Sequence, residues 1–202
     1  MASSSSSSSS SNSNKSVLFV DLRNICFSPI AEAVFRRLVA TRGVAADWTV
    51  DSCGIIDLHA GQNPEPRARK VLRDRGLAEY KHKARVIRND DLAKFDYILG
   101  LEMDDVSELK YMKFIQEQRT QVRIHLLGEF NQNNVHFEGE LKEARDPFHE
   151  NDDRSFYACY DLCLDACKGF LDNLEKADKE AKQSKKPDNS EKPTKPDQKA
   201  KQ

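Results

Sequence analysis

The segment from residue 16 to residue 39 constrains the fold of this 202-residue chain more than any other. Residues 17–20 form a continuous apolar run, as expected of a parallel strand that is covered on both faces. After the loop 21–28, Ser28 and Pro29 predict a helix start, because serine is a favoured N-cap and proline fits the first helical position. Apolar residues then recur at helical spacing up to residue 39. A buried strand that leads directly into an amphipathic helix favours an α/β protein.

Strand and helix patterns alternate through the rest of the chain up to residue 174. Strand patterns recur at 48–50, 95–99 and 122–127, with a weaker one at 84–87, and helical patterns recur at 64–76, 103–118 and 152–174. This order predicts a three-layer α/β sandwich with a mainly parallel sheet of four strands. Ligands of such sheets bind beyond the carboxyl ends of the strands, which makes the loop 21–28 the first place to look for function.

The two ends of the chain differ in composition from its centre. Residues 3–11 are consecutive serines, and residues 175–202 contain no Leu, Ile, Val, Met or aromatic residue. Such segments cannot bury enough apolar surface to offset the entropy of ordering. We therefore expect a disordered Ser-rich leader at 1–15, one folded domain at 16–174 and a disordered Lys-rich tail at 175–202.

The charge and the cysteine content of the chain limit which partners it can bind and in which compartment it is expected. The predicted domain carries 22 basic and 27 acidic residues, an acidic balance that argues against a nucleic-acid-binding face. The sequence has no apolar run long enough for a membrane span and no secretory signal stretch. Its five cysteines are an odd number, and 159, 163 and 167 share one helix face, so we expect buried thiols in a reducing compartment, the cytoplasm. They lack paired zinc-ligand spacing, and no metal or cofactor is expected.

Four stretches of the chain stand in a recognisable order. They are the strand and loop from Ser16 to Arg36, which include Asp21-Leu22-Arg23-Asn24-Ile25-Cys26-Phe27-Ser28-Pro29, then Val50-Asp51-Ser52, Phe95-Asp96-Tyr97-Ile98-Leu99 and Asp146-Pro147-Phe148. Together they resemble the low-molecular-weight protein tyrosine phosphatases over the whole of 16–174. The resemblance implies a phosphate loop in which a cysteine attacks phosphorus and an arginine binds the phosphate oxygens. It also implies a late aspartate that protonates the leaving group.

The residues at those positions do not keep this chemistry. By the resemblance, Asp21 stands at the nucleophile position, Phe27 at the position of the arginine, and Asp146 at the retained general-acid position. Arg23 replaces a loop glycine, and Phe148 replaces a tyrosine. The remaining loop residues are Leu22, Asn24, Ile25, Cys26 and Ser28, and Leu58 and His59 are expected at the rim of the pocket.

Several expectations for individual loop residues follow. None of the five cysteines is followed six residues later by an arginine, so no second phosphate loop is present. We expect Asn24 to adopt a left-handed backbone and Arg23 to pair with Asp21. Phe27 has two open alternatives: an exposed anchor for a partner, or a side chain folded inward.

The favoured interpretation is a catalytically inactive homologue, a pseudophosphatase that binds a protein partner or competes with an active relative. An alternative is a phosphatase with residual or altered activity, in which Asp21 is the nucleophile and Asp146 the acid. A third is a module that binds phosphotyrosine without cleaving it, although the exchanges at Asp21 and Phe27 argue against phosphotyrosine as a ligand.

Overall fold

The computed structural model describes residues 14–115, 121–132, 146–149 and 152–184, and four parallel strands form its central sheet. In chain order the strands are β1 (Lys15–Asp21), β2 (Trp48–Gly54), β3 (Tyr97–Gly100) and β4 (Arg123–Leu126). Their order across the sheet is β2-β1-β3-β4. The predicted α/β class and the parallel four-stranded sheet are confirmed.

Five α-helices accompany the sheet in the described residues. They are α1 (Phe27–Thr41), α2 (Pro66–Asp74), α3 (Asp91–Lys94), α4 (Met103–Ile115) and α5 (Arg154–Gln183). Short 3-10 turns lie at Ala45–Asp47, Leu127–Phe130 and Pro147–His149. None of the described helices combines the length and apolar character that crossing a bilayer requires.

The two faces of β1 pack against different helices. Leu18 and Val20 lie in a buried cluster that includes Leu109 of α4. On the other face, the ring of Phe19 lies 5.6 Å from that of Phe35 in α1, and Phe35 lies 6.0 Å from Phe170 in α5. This alternation produces the three predicted layers, with β1 in the middle of the core.

Two sequence predictions are wrong: the N-cap at the start of α1 and the strand at 84–87. Helix α1 begins at Phe27, so Ser28 lies inside its first turn and is not the N-cap. The N–H of Ser28 instead donates to the carboxylate of Asp21 at 2.8 Å. Residues 84–87 make one isolated bridge between Val86 and Gly54 rather than a strand, because the N–H of Arg85 is bound to the side chain of Asn24.

The last helix also ends later than the sequence predicts. Helix α5 continues to Gln183, so residues 175–183 are helical where a disordered tail is expected. The prediction fails because missing apolar residues indicate missing burial, whereas Glu, Lys, Ala and Gln are good helix formers at the surface. The leader 1–13 and residues 185–202 lie outside the described residues, so their predicted disorder stays a prediction.

Backbone contacts divide the chain into two units, and the first ends at Phe170. The first unit holds the sheet, α1 to α4 and most of α5. The second begins at Leu171, is described to Ser184, and is helical as far as Gln183.

The topology places one loop above the carboxyl end of the central strand. Asp21 is the last residue of β1, and in the sheet register it lies opposite Gly54 of β2. Because α1 starts only six residues later, the connection between them is short and lies at the strand ends.

The aromatic cluster around Phe170 yields a stability prediction. The ring of Phe170 contacts those of Phe35, Trp48, Tyr97 and Phe130 with centroid distances of 5.0–6.4 Å. Phe170→Ala should therefore lower the free energy of unfolding by about 3–5 kcal/mol, measured by urea denaturation.

The matched control is Phe114→Ala, since Phe114 is 80% exposed. This variant should stay within about 0.5 kcal/mol of the parent protein. Similar losses in both variants would show that the cluster is not part of the stabilising core.

Candidate functional site

The carboxylate of Asp21 binds the backbone of the loop that follows it. Its Oδ1 accepts hydrogen bonds from the N–H of Arg23, at 3.1 Å, and of Asn24. Its Oδ2 accepts one from the N–H of Ser28 at 2.8 Å. Backbone N–H groups at a helix N-terminus are where an anion would bind. Here the anion is a side chain of the same protein.

Burial makes the negative charge of Asp21 costly. The residue is 2% exposed, and loss of hydration raises its pKa. The N–H groups of Ser28 and Asn24 lower it, while the nearby carboxylate of Asp146 raises it. The result is a pKa of about 6, against an ordinary 3.8.

Asn24 fixes the shape of the loop. Its φ is 56°, in the left-handed region, as the sequence predicts. Its Nδ2 donates to Ser28 Oγ at 2.9 Å and to Ser52 Oγ at 3.0 Å. Its Oδ1 accepts from the N–H of Arg85 at 2.9 Å and lies 2.8 Å from His82 Nε2. The buried amide therefore has a partner for each of its hydrogen-bonding positions.

A second buried group, Glu32 of α1, continues this network. Its carboxylate accepts from Ser52 Oγ at 2.7 Å and from Tyr80 Oη at 2.8 Å, and it pairs with Arg36 Nε at 2.7 Å. It lies 3.2 Å from Nδ1 of His82. Burial by itself would raise the pKa of Glu32, but these partners hold it below its ordinary value.

Sequence reasoning assigns no role to Glu32, Ser52, Tyr80 or His82. One signal was available: Glu32 lies within a run of buried residues on α1, where an ionised side chain needs partners. The partners themselves come from distant segments.

Glu32, His82 and Asp51 also bring possible metal-ligand atoms within 4.8 Å of one another. These atoms already have protein partners. Glu32 and His82 belong to the network just described, and Asp51 Oδ2 pairs with the guanidinium of Arg85 at 2.9 Å. The positive charge of that guanidinium would repel a cation at this position. We therefore interpret Glu32, Asp51 and His82 as residues that support the loop.

Gly54 allows the loop to lie close to β2. A Cβ at this position would lie 2.9 Å from the carbonyl carbon of Arg23 and 3.1 Å from the nitrogen of Asn24. Any side chain would therefore displace the loop backbone.

The side chain of Arg23 lies against the segment at 146–148. Its Nη1 is 3.3 Å from Asp146 Oδ2, and its guanidinium lies 4.7 Å from the centre of the Phe148 ring. The sequence predicts Asp21 as the partner of this side chain, whereas the structure pairs it with Asp146. Asp21 accepts a hydrogen bond from the backbone N–H of Arg23, not from its side chain.

Asp146 has further partners in its own surroundings. Its N–H donates to Glu102 Oε1 at 2.9 Å, and its Oδ1 accepts from the N–H of Phe148 at 3.0 Å. The predicted general-acid residue thus lies close to the loop, but its carboxylate is paired with Arg23.

Phe27 and Cys26 are both buried. Phe27 is 0% exposed, so its side chain folds inward and the alternative of an exposed anchor is wrong. Cys26 is 1% exposed. Burial, followed by the charges of Asp146 and Asp21, raises the pKa of its thiol far above the ordinary value. Burial therefore disfavours the thiolate, which is the nucleophilic form of a cysteine.

The other predicted site residues have structural contacts. The carbonyl of Leu22 accepts from the N–H of Ile56, and that of buried Ile25 accepts from the N–H of Glu65. At the expected rim, Leu58 is 63% exposed. The ring of His59 lies 6.3 Å from that of Phe148, so the loop at 59 and the segment at 148 adjoin one another.

Comparison with known proteins identifies the family and the fold. Residues 16–181 match the family described as low molecular weight phosphotyrosine protein phosphatase. The chain belongs to this family. The member from Sus scrofa is 41% identical over 161 residues, which cover 79% of this chain and 96% of that relative.

Solved structures of similar proteins agree with this assignment. Drosophila arginine phosphatase superposes with a TM-score of 0.72 at 31% identity, covering 79% of this chain and 97% of its own. A protein tyrosine phosphatase from Entamoeba histolytica superposes with a TM-score of 0.70 at 27% identity, covering 81% and 99%.

The raised pKa of Asp21 makes the stability of the loop 21–28 depend on pH. An unfolded Asp21 loses its proton near 3.8, whereas the folded carboxyl keeps it to about 6. Between these values the folded state binds more protons, so the free energy of unfolding should fall as pH rises, by about 3 kcal/mol in total. Asp21→Asn cannot titrate. The stability of the parent relative to this variant should therefore fall between pH 4 and pH 6.5 and be constant above it.

Urea denaturation at half-unit pH steps measures this difference, in which the contributions of titrating groups that do not interact with Asp21 cancel. Asp57→Asn, at an exposed carboxyl in the loop after β2, controls for the loss of one acidic group. A pH-independent difference between the parent and Asp21→Asn would contradict the raised pKa of Asp21.

Proposed function

We propose that this chain is a pseudophosphatase of the low-molecular-weight family. It does not hydrolyse phosphate esters, and it acts by binding a protein partner or by competing with an active relative. The observation that carries the proposal is the carboxylate of Asp21, bonded to the loop N–H groups of Arg23, Asn24 and Ser28.

Electrostatic repulsion is the first argument for inactivity. A phosphate dianion bound at the loop would lie about 4 Å from the Asp21 carboxylate. Above the Asp21 pKa of about 6, the repulsion at this distance is roughly 2–8 kcal/mol for effective dielectric constants between water and a protein surface. The substrate would also compete with Asp21 for the same N–H donors.

The missing catalytic groups are the second argument. The one cysteine in the loop, Cys26, is buried, and burial raises the pKa of its thiol. At the arginine position the side chain of Phe27 lies in the core, and the guanidinium of Arg23 is already paired with Asp146. Loss of the nucleophile from a coupled catalytic unit typically lowers the rate by about 10⁶.

A protein partner and a cytoplasmic location complete the proposal. The loop keeps a supported framework although its chemistry is lost, which favours a role in binding over turnover. All five cysteines are free and buried, which fits a reducing compartment such as the cytoplasm.

The alternative is a phosphatase with altered chemistry, with Asp21 as nucleophile and Asp146 as acid. Two observations favour it: the relatives carry the name phosphatase, and the two carboxyl groups are close enough for Asp146 to raise the pKa of Asp21. Carboxylates do act as phosphoryl nucleophiles in other enzymes, usually with a metal ion to offset charge. A phosphotyrosine-binding module is disfavoured by the same repulsion.

Hydrolysis of p-nitrophenyl phosphate between pH 5 and 7.5 tests inactivity. The parent protein and Asp21→Ala should both stay at the buffer rate, because neither has a cysteine at position 21 or an arginine at position 27. Turnover by the parent that is lost in Asp21→Ala, with a phosphoaspartate trapped by hydroxylamine, would establish the alternative.

Two gain-of-function variants serve as the matched control in the same assay. Asp21→Cys restores the nucleophile alone and should remain near background. Asp21→Cys with Phe27→Arg restores both groups and should exceed the single variant by about 100-fold or more. Circular dichroism melting checks that both are folded, and activity of Asp21→Cys alone would show that the arginine is dispensable here.

Competition with an active relative can be measured directly. Added to an active family member, the chain should slow dephosphorylation of a tyrosine-phosphorylated protein in a saturable way. It should leave hydrolysis of p-nitrophenyl phosphate unchanged, because only the protein substrate has a docking surface to share. Equal rates with and without the chain on the protein substrate would exclude competition with that relative and leave partner binding as the proposed role.

A further inference from the structure

A cleft of about 540 Å³ lies between α2 and the segment that follows it. Its lining residues come from 63–83 and include none from the loop 21–28 and none from 146–149. The volume lies within the range of small-molecule sites. The cleft is therefore separate from the phosphatase loop.

Four cationic side chains surround this cleft: Arg69 and Arg73 of α2, and Lys81 and Lys83 of the following segment. All four are exposed at the surface. No acidic residue lines the cleft among the residues that the structure describes. Such a concentration of one charge around a concave surface attracts anions.

Little in the described structure neutralises these charges. The Nε of Arg73 lies 4.0 Å from Asp74 Oδ1, but Asp74 also pairs with Lys70 at 3.4 Å and accepts from Tyr157 Oη at 2.6 Å. Within the part of the chain that the structure describes, the Nε of Arg69 donates to a backbone carbonyl, that of Pro64. The ammonium groups of Lys81 and Lys83 have no carboxylate partner within the described ranges.

Apart from Asn63 and His82, the rest of the cleft wall is mainly apolar. Leu72, Leu77, Ala78 and Pro64 line it, together with the ring of Tyr80, which lies parallel to that of His82. A ligand that fits both parts carries at least two negative charges and an apolar or planar portion. An arginine guanidinium group can donate two parallel hydrogen bonds to two oxygens of one phosphate. The two arginines and two lysines therefore favour a phosphate dianion over a ligand with a single carboxylate.

We propose that this cleft binds a small phosphorylated molecule with an aryl or similarly apolar group. The phosphate lies among Arg69, Arg73, Lys81 and Lys83, and the apolar group packs on the wall. The site is independent of the proposed inactivity, because no residue of the cleft belongs to the loop.

The cleft also adjoins a residue that supports the loop 21–28. His82 lines the cleft, and its Nε2 lies 2.8 Å from Oδ1 of Asn24, the left-handed loop residue. A ligand in the cleft should therefore change the NMR signals of the Asn24 side chain in addition to those of residues 69–83.

The probe is phenylphosphonate, a dianion that phosphatases cannot hydrolyse, titrated into the full chain at pH 8. We expect saturable binding with a Kd on the order of 1 mM or tighter, weakened by 0.5 M NaCl. Amide signals of residues 69–83 should shift. Inorganic phosphate should bind more weakly, because it lacks the apolar group.

Two pairs of substitutions locate the site. Arg69→Gln with Arg73→Gln, and Lys81→Gln with Lys83→Gln, should each weaken binding about tenfold or more. All four side chains are exposed, so folding should be retained in at least one pair. Lys110→Gln with Lys168→Gln removes two exposed cations outside the cleft and should leave the affinity unchanged.

Three results would overturn the proposal. They are no saturable binding up to about 20 mM at low salt, equal weakening by the control pair, or signal shifts confined to 21–28 together with loss of binding in Arg23→Gln. The last result would place the anion at the phosphatase loop. Aryl phosphate turnover by the parent would refute the proposed inactivity but leave this site unaffected.

Discussion

The hydrogen bonds between the Asp21 carboxylate and the loop backbone are the interaction on which the site depends. They satisfy the N–H groups of Arg23 and Asn24 in the loop and that of Ser28 in the first turn of α1. Burial of the same carboxylate raises its pKa to about 6. The loop is thus ordered by an internal anion at a cost in electrostatic free energy, and a phosphate would have to displace that anion.

The framework around the loop does not depend on the reacting groups. Asn24 is held by Ser28, Ser52 and His82, and Glu32 extends this support to Tyr80. None of these hydrogen bonds involves the side chain of Asp21 or Phe27. The framework can therefore keep its shape whichever residues stand at these two positions. His82 connects the same framework to the cationic cleft.

Much of the fold could be predicted because its signals are local. The buried strand at 17–20, the helix after it and the left-handed Asn24 each follow from a few consecutive residues. The predictions that failed depend on distant partners or on surface propensity. Ser28 is not an N-cap because Asp21 already binds its N–H, and residues 84–87 make no strand because Asn24 takes one of their N–H groups. Helix α5 extends past residue 174 because helix propensity does not require burial.

The sequence by itself determined the α/β class, the order of the main elements and the position of the loop after the first strand. These are properties of contiguous residues and of their order. Only the tertiary structure decided that Arg23 pairs with Asp146, that Phe27 turns into the core, and that Glu32 and His82 support the loop. Each of these results depends on which segments, tens of residues apart, meet at the end of β1 and on which side of the loop each side chain lies. Periodicity along a chain carries no information about either.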